Sequence, residues 1–304
     1  MPITREDTKT HRPREEDDES WQESFFLGWS DVESRCGGSH HVSLNPHLKL
    51  AHVWSWLVVG GEVVGRSQLH RLPLPTDDLR TMRLGTLQFM AGESIRSLTM
   101  GAQFETCRVE LEYQGFHDPI ELNVLRPRGR HYESMGAVQG EVILPDRAVK
   151  IFGSGWQDHS WGPRNYSHTL SERWLFSIFG DDLAFSIYSL NTSEGRREFG
   201  YVFDGGKIHL IKTARVGALV ADDGLSPAGC NTFVRTQTGR GYKLSGEVYA
   251  AALTGGPGWS GTGGYFGMNG LSEFVCGGRV GEGILEIAEM KSLTADQRAE
   301  LQMD

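Results

Sequence analysis

The chain has 304 residues and a net charge of −9, a length that suits two domains or one large β architecture. Its 39 glycines against 11 prolines, with 10% aromatic residues, favour short strands joined by tight turns over a helix bundle. The acidic balance, with no Lys/Arg cluster interleaved with aromatic residues, argues against nucleic acid as a partner.

The N-terminal segment, residues 1–22, is rich in charged side chains and poor in apolar ones. This composition predicts a solvated, disordered tail rather than a secretory signal. The longest apolar runs, such as Val53 to Val59, fall far short of the roughly 20 residues that a membrane span requires. The four cysteines are widely spaced and form no CxxC pair, so we expect reduced thiols in a cytoplasmic protein.

Alternation of apolar and polar residues begins near residue 25 and is clearest over residues 107–113. A second alternating segment, residues 120–124, follows a turn-like sequence at 114–119. The sequence therefore predicts a hairpin of these two strands.

The second half repeats this pattern. Strands are predicted over residues 174–179 and 183–187, then over 201–203 and 208–211, and again over 242–248. Strands that follow one another without helical patterns indicate antiparallel barrels or sandwiches. One short C-terminal helix is predicted from a capping box formed by Thr294 and Gln297.

One long segment, residues 153–166, interrupts the alternation, and we place a domain boundary near residue 165. The predicted organisation is all-β, with an N-terminal barrel over residues 23–165 and a C-terminal barrel over residues 166–304. This interrupting segment also carries the side chains with the most chemical potential. They are Trp156, Asp158, His159, Trp161 and Arg164.

An extended backbone would place Asp158 on the same face as Trp156, with His159 on the opposite face. Burial against an indole would favour the protonated carboxyl near neutral pH, so Asp158 is a candidate general acid. His159 is a candidate partner base. Trp156, Trp161 and Trp174 could stabilise a developing cation. The alternative is structural, with Asp158 capping a turn or forming an ion pair with Arg164.

His131, Tyr132 and Glu133 form a second polar group ahead of the strand from Val138, which we interpret as an exposed strand end. Glu133 is also a candidate second acid, and His131 and Glu133 are candidate substrate contacts, as are the three tryptophans and Arg164. His40 and His41 lack carboxylate or thiolate companions at ligand spacing, so no metal site is predicted.

Common cofactor and hydrolase motifs are absent from the sequence. A Gly-x-Gly pair at residues 153–155 lacks the third glycine and the strand-to-helix context of a dinucleotide site. There is no Gly-x-Ser-x-Gly elbow and no P-loop. We therefore expect no cofactor.

Residues 158–164 read Asp-His-Ser-Trp-Gly-Pro-Arg. This segment resembles the carotenoid hydratase (hydroxyneurosporene synthase) and AttH-like superfamily, whose members carry Asp-His followed closely by Trp. The resemblance extends to four further segments, which are Glu23–Phe26, Gly37–Gly38, Glu133–Gly140 and Gly278–Glu289. The Gly-Pro-Arg flank differs from the carotenoid enzymes and matches a bacterial subgroup, which argues against a carotenoid substrate.

The resemblance implies two lipocalin-like β-barrel domains with a hydrophobic ligand site near their junction. It also implies cofactor-independent acid–base chemistry on terpenoid or polyketide-like molecules, with Asp158 as the acid that protonates a double bond. Relatives by fold include hydratases, cyclases and pericyclases of the Diels–Alderase type. Three functions stay open: an acid–base lyase, hydratase or isomerase; a pericyclase or cyclase that acts by positioning its substrate; and a non-catalytic carrier of a hydrophobic ligand.

Overall fold

The computed structural model describes residues 3–76, 78–122, 129–164, 169–254 and 265–290. The chain divides into two compact units, one of Met1–Val59 with Val63–Asn165 and one of Gly60–Glu62 with Tyr166–Asp304. In the described ranges the structure is nearly all strand, with two short 3-10 helices, η1 (Arg5–Thr8) and η2 (Leu79–Thr81). The all-β prediction is confirmed, while the helix predicted at Thr294 lies outside the described residues.

The first unit contains an 11-stranded antiparallel sheet in the order β4-β3-β2-β1-β11-β10-β8-β7-β6-β5, with β9 paired to β10. Its strands are β1 (Trp21–Asp31), β2 (Cys36–Asn45), β3 (Leu50–Val59), β4 (Glu62–Pro73), β5 (Arg83–Leu84), β6 (Leu87–Ala91), β7 (Ser97–Gln103), β8 (Arg108–Gly115), β9 (Ile120–Glu121), β10 (Arg130–Ile143) and β11 (Ala148–Pro163). The long central strands β1, β10 and β11 lie side by side.

The second unit is a closed barrel whose eight described strands follow sequence order. They are β12 (Thr169–Ile178), β13 (Leu183–Thr192), β14 (Gly195–Asp204), β15 (Lys207–Val220), β16 (Pro227–Thr236), β17 (Gly241–Thr254), β18 (Tyr265–Cys276) and β19 (Arg279–Met290). The predicted hairpins β12–β13 and β14–β15 are confirmed. The predicted antiparallel architecture is therefore present in both units.

One predicted hairpin is wrong. The alternating segment at 107–113 does form β8, with Val109, Leu111 and Tyr113 buried and the glutamates exposed. However, β8 pairs with β7 and β10, and β9 pairs with β10 rather than with β8. The long β10 accommodates both, with β9 opposite its beginning and β8 opposite its remainder. Two strands that lie end to end along one partner strand appear in the sequence as two alternating segments separated by a turn. A hairpin has the same sequence pattern, so the two arrangements cannot be distinguished locally.

The interior of the first unit is a continuous apolar core built from alternate residues of its strands. Phe25, Leu27 and Trp29 of β1 contribute to it, as do Val42 and Val53 of the neighbouring strands. The intervening side chains of β1 point to the opposite face of the sheet. All four cysteines are described, and each is a buried free thiol, as predicted.

The segment expected to interrupt the strands is in fact the second half of β11. Its glycines permit the close approach of neighbouring strands. A Cβ at Gly153 would lie 2.0 Å from the carbonyl oxygen of Ser30 on β1. Because β11 stays extended to Pro163, the sequence-based assignment of Asp158 and His159 to opposite faces is correct.

No helix among the described residues is long and apolar enough to cross a membrane.

Candidate functional site

The candidate site lies where β10, β11 and β1 run side by side. Asp158 of β11 is opposite Glu133 of β10 and Phe26 of β1, and the next residue, His159, is opposite Tyr132 and Phe25. Directly paired residues of antiparallel strands project to the same face. The sheet therefore has an Asp158 face and a His159 face, and each carries its own cluster of ionisable groups.

On the Asp158 face, three ionisable side chains meet within the buried part of the sheet. His131 Nε2 forms a hydrogen bond with Asp158 Oδ2 and lies 3.3 Å from Glu133 Oε1. Asp158 is 8% exposed, His131 8% and Glu133 0%. The expectation of an exposed strand end at His131 and Glu133 is therefore wrong. Both residues do lie near the beginning of β10, but they are buried, and alternation places both beside Asp158.

The two carboxyl groups keep a proton on the imidazole. Burial alone would lower the pKa of His131, but the charges and hydrogen bonds of Asp158 and Glu133 raise this pKa to about 9. The cluster can therefore hold a proton on His131 at neutral pH.

Aromatic rings extend the Asp158 face away from the cluster. A row of directly opposed residues runs from Asp158 through Phe26 and His41 to Trp54. His41 stacks on Trp54 with ring centroids 5.0 Å apart. Burial, together with the nearby Arg164 charge, lowers the pKa of His41 to about 3, so this ring is neutral. Trp156, two residues before Asp158, is fully buried on the same face.

Arg164 lies just beyond the end of β11. Its Nη2 donates to Ser24 Oγ at 2.5 Å and to Ser160 Oγ at 3.0 Å, and it is 3.3 Å from the Ser160 carbonyl oxygen. Ser24 and Ser160 are opposed residues of β1 and β11, on the same face as Asp158. The Arg164 guanidinium thus links β1 to β11 through these two serines, next to the cluster. The hydrogen bond to Asp158 Oδ2 within the cluster comes from His131.

On the His159 face, two histidines share one carboxylate. His159 Nε2 lies 2.9 Å from Glu23 Oε1, and His11 Nδ1 lies 2.7 Å from the same oxygen. The other ring nitrogen of His159 is 3.1 Å from the hydroxyl of Tyr132. Glu23 and His159 are 0% exposed. The structure therefore does not bring His159 to Asp158, the acid whose partner base it was predicted to be.

The Glu23 carboxylate is stabilised by its neighbours. Burial would raise its pKa, but hydrogen bonds from His11 and His159 lower the pKa below the usual value. The backbone N–H of His11 also donates to Glu23 Oε2 at 2.9 Å. A fully buried carboxylate thus has donors on both of its oxygens.

Trp161 belongs to the His159 face as well. His11 stacks on its indole with ring centroids 3.7 Å apart and an interplanar angle of 5°. Arg130 lies over the same ring at 5.6 Å and forms ion pairs with Asp7 and Glu121. Residues 1–22, predicted to be a disordered tail, thus include side chains that contact this face in the structure.

Trp174, the third indole predicted to stabilise a developing cation, is in β12 of the second unit. It stacks on Tyr188 with ring centroids 5.3 Å apart and makes an edge contact with Phe176 at 4.6 Å.

Several residues of the two faces were not among the predicted site residues, among them Glu23, His11, His41 and Tyr132. Glu23 entered only through the resemblance, His11 lay in the predicted tail, and His41 was considered only as a metal ligand. Their separations from Asp158 and His159 in the sequence carry no spacing signal. Strand register, which pairs β1 with both β2 and β11, brings Glu23 to His159 and His41 into line with Asp158. His11 belongs to no strand and comes from the segment before β1.

Comparisons with solved structures show the same fold at low sequence identity. An AttH-like protein from Nitrosomonas europaea aligns with a TM-score of 0.69 and 12% identity over 90% of this chain and 93% of that one. CghA with Sch210972 gives 0.59 and 12%, over 90% and 89%. Kievitone hydratase from Nectria haematococca gives 0.58 and 10%, over 89% of each chain. The predicted AttH-like fold is confirmed.

Sequence comparison matches residues 4–291 to a family described as a domain of unknown function, DUF7064. No curated protein sequence matches the chain.

Proposed function

This chain belongs to the DUF7064 family, and we propose that it is a cofactor-independent acid–base enzyme, a lyase, hydratase or isomerase of a hydrophobic small molecule. The observation that carries the proposal is the buried contact of His131 with both Asp158 and Glu133. His131, whose pKa is raised, holds a proton at neutral pH that is available for transfer to a substrate. The surroundings include buried aromatic rings. Terpenoid, polyketide or aromatic molecules would suit such surroundings.

In the proposed reaction, Asp158 delivers the proton it shares with His131 to a carbon of a substrate double bond. The resulting cation is stabilised by an indole face, for which Trp156 is the nearest candidate in sequence. Water adds to the cation and loses its proton to Glu133. Transfer of that proton across the 3.3 Å from Glu133 to His131 restores the starting state. Elimination of water is the same sequence in reverse.

This assignment differs in two ways from the roles predicted from sequence. His131 is the proton reservoir, so Asp158 need not store the proton by itself. Glu133 takes the part of the base, because His159 lies on the opposite face of β11. The four buried free thiols support a reducing compartment, and we place the reaction in the cytoplasm.

The test begins with native mass spectrometry of the freshly purified chain to identify a co-purified ligand. The ligand is then incubated in D₂O with the parent chain, Asp158→Asn and Asp146→Asn. Asp146 is an exposed residue of the β10–β11 turn and is the matched control. We expect deuterium at a substrate carbon and a turnover about 100- to 10,000-fold lower for Asp158→Asn. Asp146→Asn should be unchanged.

CghA shares the fold and was solved with the small molecule Sch210972, and this likeness supports a second candidate. In it the protein is a pericyclase or cyclase that only folds its substrate into a reactive shape. Undiminished turnover by Asp158→Asn without carbon deuteration would support that candidate and refute acid–base catalysis. Tight binding with no turnover by the parent chain would instead identify a carrier.

A further inference from the structure

The His159 face presents three potential metal-ligand atoms that converge on one point. His11 Nδ1, Glu23 Oε1 and His159 Nε2 all lie within 4.8 Å of one another. We propose that these residues bind one divalent transition-metal ion through two imidazoles and one carboxylate. The proposal is independent of the reaction on the Asp158 face.

The spacing fits a first-row metal after a small adjustment. Zn²⁺ binds imidazole nitrogen and carboxylate oxygen at about 2.0 to 2.2 Å, so tetrahedral ligands are roughly 3.3 Å apart. His11 Nδ1 is 2.7 Å and His159 Nε2 is 2.9 Å from Glu23 Oε1, which are hydrogen-bond distances. Each must move away by roughly half an ångström. His11 can do so because it precedes β1 and belongs to no strand.

The outer contacts orient the ligands as metal sites require. His159 bonds through Nδ1 to the Tyr132 hydroxyl, which leaves Nε2 directed at the shared point. Metal-binding histidines regularly have such a partner on the second nitrogen. Glu23 keeps Oε1 at the point while its Oε2 accepts from the His11 backbone. These contacts hold the ring orientation and the carboxylate rotation before any ion arrives. The ring nitrogens that now donate to Glu23 must release their protons when an ion binds, so uptake of a metal ion should be weaker at low pH.

Burial of the three side chains indicates the route by which an ion would enter, and their chemical types determine which ion they would prefer. The side chains of Glu23 and His159 are 0% exposed, whereas that of His11 is 22% exposed, so an ion would arrive past His11. Two imidazoles per carboxylate suit Zn²⁺, Ni²⁺ or Fe²⁺ and disfavour Mg²⁺ and Ca²⁺, which prefer oxygen ligands. Three protein ligands leave one position open for water or a small ligand. An ion would also fasten the N-terminal segment to β1 and β11.

The probe for the experiment is Zn²⁺, measured by isothermal titration calorimetry on the full-length chain, with Mg²⁺ and Ca²⁺ as comparison ions. We expect one Zn²⁺ per chain, and affinity at least about 100-fold lower for Glu23→Gln and His159→Asn. His11→Asn should weaken binding at least about tenfold. Because His11 lies outside the strands, this variant tests the site without disturbing the sheet. Circular dichroism checks the fold of each variant.

The control is His131→Asn, which removes the histidine of the other cluster and should change Zn²⁺ affinity less than about threefold. Loss of binding in this variant but not in His11→Asn would place the ion on the Asp158 face and overturn the proposal. So would equal affinity for Mg²⁺, or no uptake of Zn²⁺ by the parent chain.

Discussion

The two faces of β11 carry the same kinds of ionisable group in opposite proportions. On the Asp158 face, one imidazole lies between two carboxyl groups, and all three belong to the adjacent strands β10 and β11. On the His159 face, one carboxylate lies between two imidazoles, and one of these comes from the segment before β1. Two carboxyl groups beside one imidazole raise the pKa of that imidazole, as at His131. Two imidazoles beside one carboxylate form the ligand set that we propose for a metal ion. Neighbouring residues of one strand can thus serve unrelated chemistry.

The largest predicted difference between the two faces is the effect of pH on stability through the charge of His131. Its pKa in the folded chain is about 9, against an ordinary value of 6.5. A raised pKa contributes stability that is fully present below about pH 6.5 and is lost as the pH rises through about 9. The shift corresponds to about 3 kcal/mol at most. We expect the parent chain to lose that amount between about pH 6 and about pH 10.

The measurement is urea unfolding of the parent chain and of His131→Asn across this pH range. The variant lacks the titrating ring, so the gap in unfolding free energy between the two proteins should narrow as the pH rises. His209→Asn, in the second unit, controls for the loss of a histidine. A gap that is the same at every pH would show that Asp158 and Glu133 do not hold a charged imidazole.

A smaller effect is expected from Gly28, which faces Trp156 on the Asp158 face. A Cβ at Gly28 would lie 2.2 Å from the indole Nε1 of Trp156, so an added methyl group must displace the ring. We expect Gly28→Ala to cost about 2 kcal/mol of unfolding free energy, as overpacked cores do. The control is Gly101→Ala on β7, where the nearest atom is 3.9 Å away. Equal stability of both variants would mean that Trp156 can move freely.

Five strands of the second unit, β12 to β15 and β17, were predicted from the sequence because local patterns determine them. No strand was predicted at β16, β18 or β19. Turn residues such as Gly180 and Gly205 separate alternating segments, and consecutive strands pair as hairpins. Prediction failed where pairing is not local. Nothing within residues 107–124 indicates that β8 and β9 both pair with β10, which begins several residues later.

The candidate site was predictable only in part, for the same reason. The period of two correctly separates Asp158 from His159. The partners of each residue depend on register with β1 and β10, which lie far away in the sequence. Glu133 and Glu23 show how this matters, because both are buried charged residues that composition rules place at the surface. Only the three-dimensional pairing supplies the histidines that make their burial tolerable.

The smallest effect concerns a single hydroxyl on the His159 face. Tyr132→Phe removes the oxygen that lies 3.1 Å from His159 Nδ1 and leaves that buried nitrogen without this partner. We expect a loss of about 1 kcal/mol in unfolding free energy, since the ring still fills its place. Tyr113→Phe is the matched control, because its buried hydroxyl is 2.7 Å from Ser134 Oγ. Stability alone should therefore not distinguish the two variants.

Zinc affinity should distinguish them, because only the Tyr132 hydroxyl orients a proposed metal ligand. Tyr132→Phe should weaken Zn²⁺ binding about tenfold, and Tyr113→Phe should leave it unchanged. Both variants should keep the alkaline loss of stability that His131 produces, since neither removes a group of the Asp158 face. If Tyr132→Phe instead abolished that pH dependence, the two faces of β11 would be coupled and could not be treated as separate sites.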